Sequence, residues 1–374
     1  MNTELKLQPN RRQVIKVYAN PSHNQPDRQA SLNPILQAIW NSSPSEEQLR
    51  SFRSRKENFV SVAKPEDADL YLLCLNWNFY VDHGCISLAA EEASHARKAK
   101  KPLVVFSGGD FTANLRFPGA VLFQSSGYRS RRSVNGTQIF SLPNYFIADY
   151  QSVYGQGVAD VRQKNPQPIV GFCGQADGSP LDVVRRYIAC QLRKCAFKTG
   201  LRKWEPPPFE TVRWRKRVLD RLAADPCVET RFILRRRYRA GYWVEKKDPF
   251  HVTRLELVNN IRDTNYTVCM RGGGNFSVRL YETLCLGRIP VFVDTDCILP
   301  YDQVVDWRRY CVWIDSSEVS NISRKVIEFH NALSSEEFMA RQQECRRLWQ
   351  DWLSADGYWS QFWHHFATRP ASPL

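Results

Sequence analysis

Short apolar runs recur along the chain, most of them followed by a turn and then by a stretch with helical spacing. Val14 to Ala19 has the β-branched and aromatic make-up of a strand, closed by Asn20-Pro21. Ser31 to Trp40 has helical spacing. Asp69 to Leu75 and Pro102 to Phe106 are nearly unbroken apolar runs, as in parallel strands buried on both faces. Ile86 to Lys101, between them, is rich in helix formers, and Ser107-Gly108-Gly109-Asp110 makes a turn directly after the second run. Leu115 to Gln124 and Gln138 to Leu142 add two predicted strands.

The pattern breaks around residues 151–167, where Gly155, Gly157 and Pro166 punctuate a polar stretch, and then resumes. Predicted strands cover Pro168 to Cys173, Thr230 to Leu234, Tyr266 to Met270 and Ile289 to Val293. Predicted helices cover Pro180 to Cys195, Val212 to Ala223, Arg254 to Asp263 and Ser277 to Leu286. Trp204 to Phe209, with three prolines, is a loop. Glu318 to Trp363 reads as mostly helical and rich in tryptophan. Strand and helix alternate twice over, which predicts an α/β protein of two Rossmann-like domains facing across a cleft. The expected boundaries are 1–165, 166–345 and a helical tail over 346–374 that packs back across the domains. Two open sheets facing one another offer two ligand-binding walls, the arrangement called GT-B.

With 374 residues and 43% hydrophobic side chains, both halves can bury a core. No apolar run approaches the roughly 18 residues of a spanning helix, and Met1 to Arg12 is polar. The expectation is a cytoplasmic protein whose eleven cysteines, without a Cys-x-x-Cys pair, are reduced. The formal net charge is +14, and Arg185 to Lys247 holds 19 basic against 6 acidic residues. Such a field suits a polyanion, a phosphorylated ligand or an anionic membrane, and equally a solvated basic face. No helix-turn-helix, zinc-finger or RNA-recognition signature accompanies it, so nucleic acid is not the expected partner.

The densest chemistry lies between Tyr266 and Tyr301. An apolar strand ends at Met270 and runs into Arg271-Gly272-Gly273-Gly274-Asn275, where missing side chains let backbone approach a ligand. A helix then begins near Ser277, and its free N–H groups suit a diphosphate. Ser277 stands at its entry as a cap or a direct phosphate donor. Arg279 and Glu282, three apart, share a face. A carboxylate there can take both hydroxyls of a ribose, and a guanidinium can pair with a diphosphate. The same pair also fits an ordinary helical ion pair. Gly174 and Asp294 stand at strand ends.

Ser277-x-Arg279-x-x-Glu282, Gly287-Arg288-Ile289-Pro290-Val291 and Leu299-Pro300-Tyr301 together resemble the signature of the exostosin glycosyltransferase family. Phe232-Ile233, Tyr238-Arg239-Ala240-Gly241 and Ile169 to Gly174 resemble its supporting stretches. The likeness runs from about Pro168 to Trp307 and is looser before that. It implies a GT-B fold, a metal-independent active site, inversion at the sugar carbon and a UDP-sugar donor. It also implies donor binding by Arg271, Gly272, Gly273, Gly274, Asn275, Ser277, Arg279 and Glu282, with Gly174, Arg239 and Asp294 near the cleft. The expected acceptor is a glycan or a lipid-linked glycan. The alternative is a non-catalytic binder of glycans or polyanions on the same scaffold.

Asp294-Thr295-Asp296 spells the Asp-x-Asp that holds manganese in another transferase class, but here it reads as a strand-end loop, so no metal or other cofactor is expected. Inverting transfer needs a base for the acceptor hydroxyl. Asp110, after the Pro102–Phe106 strand, is the first candidate, and Asp82 and His83, in the loop after Leu75, are alternatives. Trp77, Phe79 and Tyr80 crowd that loop as acceptor surface or core. The Arg185–Lys247 face would then hold the enzyme peripherally against the inner, anionic face of a membrane.

Overall fold

The computed structural model describes residues 14–41, 46–144, 149–154, 160–176, 180–237 and 252–367. Strands β1 (Ile15–Tyr18), β2 (Phe59–Ser61), β3 (Leu70–Leu72), β4 (Leu103–Ser107), β5 (Ala120–Gln124), β6 (Ser133–Val134) and β7 (Thr137–Ser141) form the first sheet. Their order is β2-β1-β3-β4-β5-β7-β6, parallel except for the final pair. Strands β3, β4 and β5 are buried along their whole length, which is why they read as unbroken apolar runs rather than alternating ones.

The second sheet holds β8 (Ile169–Gln175), β9 (Glu229–Arg235), β10 (Tyr266–Cys269), β11 (Ile289–Asp294) and β12 (Val312–Asp315). All its pairs are parallel, in the order β12-β11-β10-β8-β9. After β8 the chain adds β9 on one side and then returns to build β10 to β12 on the other. The reversal point lies between β8 and β10, where open sheets hold ligands at the carboxyl ends of their strands. The chain is therefore α/β with two doubly wound sheets, the second wholly parallel and the first parallel but for its β7–β6 edge.

Several local expectations needed correction. Trp77–Asp82 is a helix rather than a loop, and its Trp77 and Tyr80 are core residues. The Tyr80 hydroxyl is 3.0 Å from His23 Nδ1 and accepts from the Leu75 amide at 3.3 Å. Glu46–Asn58 forms a helix that the sequence pattern did not mark, and β12 was likewise unmarked. The strand expected from Leu115 starts only at Ala120, because Pro118 and Gly119, with φ +82°, turn the chain first. All eleven cysteines are unpaired. No helix among the described residues is long and apolar enough to cross a membrane.

The C-terminal helices return to the first sheet. Helix Ala355–Ser360 places Trp359 edge-on to Phe59, 6.1 Å between centroids, and 6.0 Å from Phe106. Phe362 packs 4.9 Å from Phe123. Tyr301, of the Leu-Pro-Tyr stretch, is wholly buried, stacks on His365 at 4.5 Å and donates to the Tyr358 carbonyl at 2.5 Å. That stretch is thus the hook for the tail. Trp359→Ala is expected to cost about 3–5 kcal/mol, the usual range for emptying a buried aromatic site. Urea denaturation would read this as a lower midpoint, and an unchanged midpoint would mean the tail is not part of the core.

Candidate donor and catalytic site

The switch point gathers cationic groups. Arg279 rises from helix Val278–Cys285, donates through Nε to Glu282 Oε2 at 3.1 Å and through Nη1 to the Cys173 carbonyl at the end of β8. The ion pair foreseen on this helix therefore exists, with both side chains largely buried. Gly174 lies beside it: a Cβ there would stand 3.6 Å from Arg279 Nη2, an ordinary contact, and 3.3 Å from Phe172. Arg215, from helix Thr211–Ala223, enters from the other side and donates to the carbonyls of Gln175 and Arg271, the latter at 2.9 Å. Both guanidiniums lie against the Phe172 ring, 5.6 and 6.0 Å from its centroid. Burial, and then the nearby Arg279 charge, push the Arg215 pKa down to about 10. Arg279 pairs with Glu282, whereas Arg215 donates to backbone carbonyls and is partly balanced by Glu210, an arrangement that suits an anion.

Ser277 is the N-cap residue of helix Val278–Cys285, yet its hydroxyl makes no capping bond. It is buried and has no hydrogen-bond partner. Leaving such a group unsatisfied costs about 1–3 kcal/mol. Of the two roles foreseen for Ser277, the capping one is absent from this structure.

Asp110 comes to this site from the opposite domain. It follows β4, and the Gly274 N–H donates to its carboxylate. A Cβ on Gly273 would stand 2.9 Å from Asp110 Oδ2, and one on Gly274 3.0 Å from Asp110 Cα. Two of the three glycines thus admit the facing Asp110 loop, while Gly272 faces open space. Partial desolvation raises the Asp110 pKa above the ordinary aspartate range, against the Gly274 hydrogen bond and the Arg271 charge, which lower it.

Other candidates have different employment. Asn275 is fully buried and all of its side-chain capacity is used. Its Nδ2 donates to the carbonyls of Gly127 at 2.9 Å and Asp296 at 3.3 Å, and its Oδ1 accepts from Arg271 at 3.0 Å and Thr295 at 2.7 Å. Its backbone N–H donates to Ser126 Oγ at 2.9 Å. Asn275 therefore joins the loops of the two sheets, and Arg271 adds a bond to the Tyr128 hydroxyl at 3.3 Å while its Nε is buried without a partner. Asp294 binds Arg129 at 2.7 Å and caps the Cys297 amide at 2.9 Å, and Asp296 accepts from the Ser130 amide at 3.1 Å. The Asp-x-Asp carboxylates are committed to this same junction. Asp82 accepts from Trp204 Nε1 at 3.1 Å, and His83 stacks on Phe79 at 4.1 Å. Neither is brought to the glycine loop by its contacts. Arg239 lies outside the described residues.

The sequence reading missed Arg215 and Arg129. Arg215 was hidden among the neighbouring Arg213, Lys216 and Arg217, and only its inward orientation on the helix separates it from them. No sequence signal marked Arg129.

The Exostosin GT47 domain model matches residues 210–328, from the Arg215 helix through β12 and into the helix Ile322–Ala332. The chain carries an exostosin GT47 domain. Ser277, Arg279 and Glu282 fall inside that domain, and Asp110 and Gly174 outside it. Exostosin-1 of Drosophila melanogaster is 27% identical over 93 residues, which are 24% of this chain but only 12% of that relative. Among solved structures, a glycosyltransferase from Rickettsia africae aligns over 95% of this chain and 98% of its own, at 7% identity and a TM-score of 0.35. A spinosyn rhamnosyltransferase complexed with thymidine diphosphate aligns over 92% and 98%, at 11% identity and 0.33. An alpha1,3-fucosyltransferase covers 91% of this chain with 84% of its own, at 8% and 0.33.

The raised pKa of Asp110 has a testable sign. A carboxyl whose folded pKa exceeds its unfolded one adds stability below the unfolded pKa and loses it as pH rises through the folded pKa. At neutral pH the charged Asp110 is thus a net cost. Asp110→Asn is expected to raise Tm at pH 7, with the difference fading below the usual aspartate range, where both side chains are neutral. Thermal melts across pH check this; a lower Tm for the variant at pH 7 would mean that the Gly274 and Arg271 contacts outweigh desolvation.

Proposed function

We propose that the chain is an inverting, metal-independent glycosyltransferase that uses a UDP-sugar. The observation that supports this most is the meeting of Arg215, Arg279 and the unpartnered Ser277 hydroxyl at the head of one helix, between β8 and β10. A diphosphate fits that set: two guanidiniums take its charge, the helix N-terminus faces it and Ser277 donates to a phosphate oxygen. Glu282 accepts from the ribose hydroxyls, as the exostosin resemblance implies.

In the transfer step an acceptor oxygen bonds to the anomeric carbon as that carbon's bond to the diphosphate oxygen breaks. The hydroxyl proton passes to Asp110, whose raised pKa brings its basicity nearer to neutral pH. The nucleoside diphosphate leaves as an anion neutralised by Arg215 and Arg279. Asp110 is a better base than Asp82 or His83 on position, since only its loop meets the glycine turn.

The acceptor is a glycan or lipid-linked glycan, and the work is cytoplasmic polysaccharide assembly. A cavity of about 690 Å³ begins two residues from Asp110, at Thr112, and is lined by the half-buried ring of Trp204 and, at its floor, by the core residue Trp77. Sugar C–H faces stack on such rings. Gln124 Nε2 lines it as a buried donor without a partner. A non-catalytic polyanion binder has nothing comparable to recommend it, because the cleft pairs a basic anion site with a perturbed carboxylate.

Calorimetric titration of UDP in EDTA, with GDP as control, tests the donor site. Tight, metal-free UDP binding is expected, weakened about tenfold or more by Glu282→Ala, since losing a charge-assisted hydrogen bond costs about 1.5–3 kcal/mol. Binding that requires Mn²⁺ and survives Glu282→Ala would refute the assignment.

A further inference from the structure

Helix Pro180–Lys198 carries an apolar stripe on its outside. Leu181, Val184, Ile188 and Leu192 stand at spacings of three or four residues, so they form one face. They are 82%, 55%, 52% and 65% exposed. Tyr187, at the margin, is 53% exposed. The opposite face does the packing. Cys190 is buried with its Sγ 3.8 Å from the Pro207 carbonyl, Lys194 donates to the Pro208 carbonyl, and Arg186 donates to the Arg236 carbonyl at 3.4 Å. The helix has a separate core face, and its outer face is apolar as well.

Charge selects the occupant. Arg185, Arg193 and Lys198 are exposed along the edges of the stripe, and Asp182 is the helix's one acidic residue. The hydrogen bond from Arg186 sets the exposed Arg236 and Arg237 beside the same helix, while Arg235 pairs with Glu256. A second copy of this chain would bring an identical basic rim against this one, and like charges would repel. An apolar stripe with a cationic margin matches an anionic lipid surface, where acyl chains receive the stripe and headgroups receive the arginines.

We propose that helix Pro180–Lys198 is an in-plane anchor that sinks its Leu181–Leu192 stripe into an anionic membrane. This gives the basic excess of the chain a place and a depth, about 5–10 Å into the headgroup boundary. The helix follows β8 directly, so its first turn starts from the strand end that carries Gly174. Docking would hold the cleft beside the bilayer. The inference does not depend on the transferase reading, because it rests on exposure and charge outside the donor site.

The test is sedimentation of the full chain with vesicles of phosphatidylcholine, with and without phosphatidylglycerol. Pelleting is expected with the anionic vesicles alone and should weaken as salt rises. A triple variant, Leu181→Gln, Ile188→Gln and Leu192→Gln, is expected to bind about tenfold more weakly or worse, since it removes most of the buried stripe. Arg185→Glu with Arg193→Glu should weaken binding independently. UDP titration of both variants should be unchanged, which separates this result from the donor-site one. The proposal fails if the wild type stays in solution with anionic vesicles, or if the triple variant pellets as well as wild type. It also fails if sedimentation velocity shows the stripe joining two copies that anionic vesicles do not separate.

Discussion

The two sheets are held together by a set of polar contacts centred on Asn275. Asn275 sits where the glycine turn, the β11 loop and the loop after β5 meet, and each of its hydrogen-bonding positions is taken. An amide in that position cannot be shifted without stranding several buried partners. The neighbouring ties run the same way: the Arg129 amide donates to the Asp296 carbonyl at 2.8 Å, and Arg132 pairs with Asp302. This junction keeps Asp110 against Gly273 and Gly274. The base candidate and the anion site belong to different sheets, and their separation is set by these polar contacts.

Much of the fold was visible in the pattern of apolar runs because parallel strands buried on both faces cannot disguise themselves. Asp69 to Leu75 and Pro102 to Phe106 are of this kind. The helix at Glu46–Asn58 escaped because its residues are mostly charged or polar, and because a partner of Ser54 is Asp356, 302 residues away. The donor motif was legible because Ser277, Arg279 and Glu282 act from a single helix, so sequence spacing reports their geometry. The employment of Asn275 and Asp294 was not, because a deciding partner of each lies beside the other sheet: Gly127 is 148 residues from Asn275, and Arg129 is 165 from Asp294. No local pattern distinguishes an amide that binds a ligand from one that binds another domain.

Arginine does much of the structural work here. Arg288, in the Gly-Arg-Ile-Pro-Val stretch, is fully buried and donates to the carbonyls of Arg262 and Asp160, at 2.8 and 2.6 Å. It thereby fastens the segment between the domains to the second sheet. Arg346 grips Asp149 with two bonds of 2.9 and 2.8 Å. A planar fork with five donors holds several carbonyls or a carboxylate in a fixed geometry, which lysine's rotatable ammonium does not impose. A large positive charge in composition is therefore a poor guide to how many cations face solvent.

The tail that packs on the first sheet has a consequence for synthesis. Trp359 and Phe362 complete the core around Phe59, Phe106 and Phe123. A growing chain that has finished both sheets still lacks these rings until residues 355–365 emerge. The earlier of the two sheets to be made is thus the later to close, and the second must fold while its neighbour waits with an open apolar face. Cutting the gene between the two domains would separate the first from its own keystone.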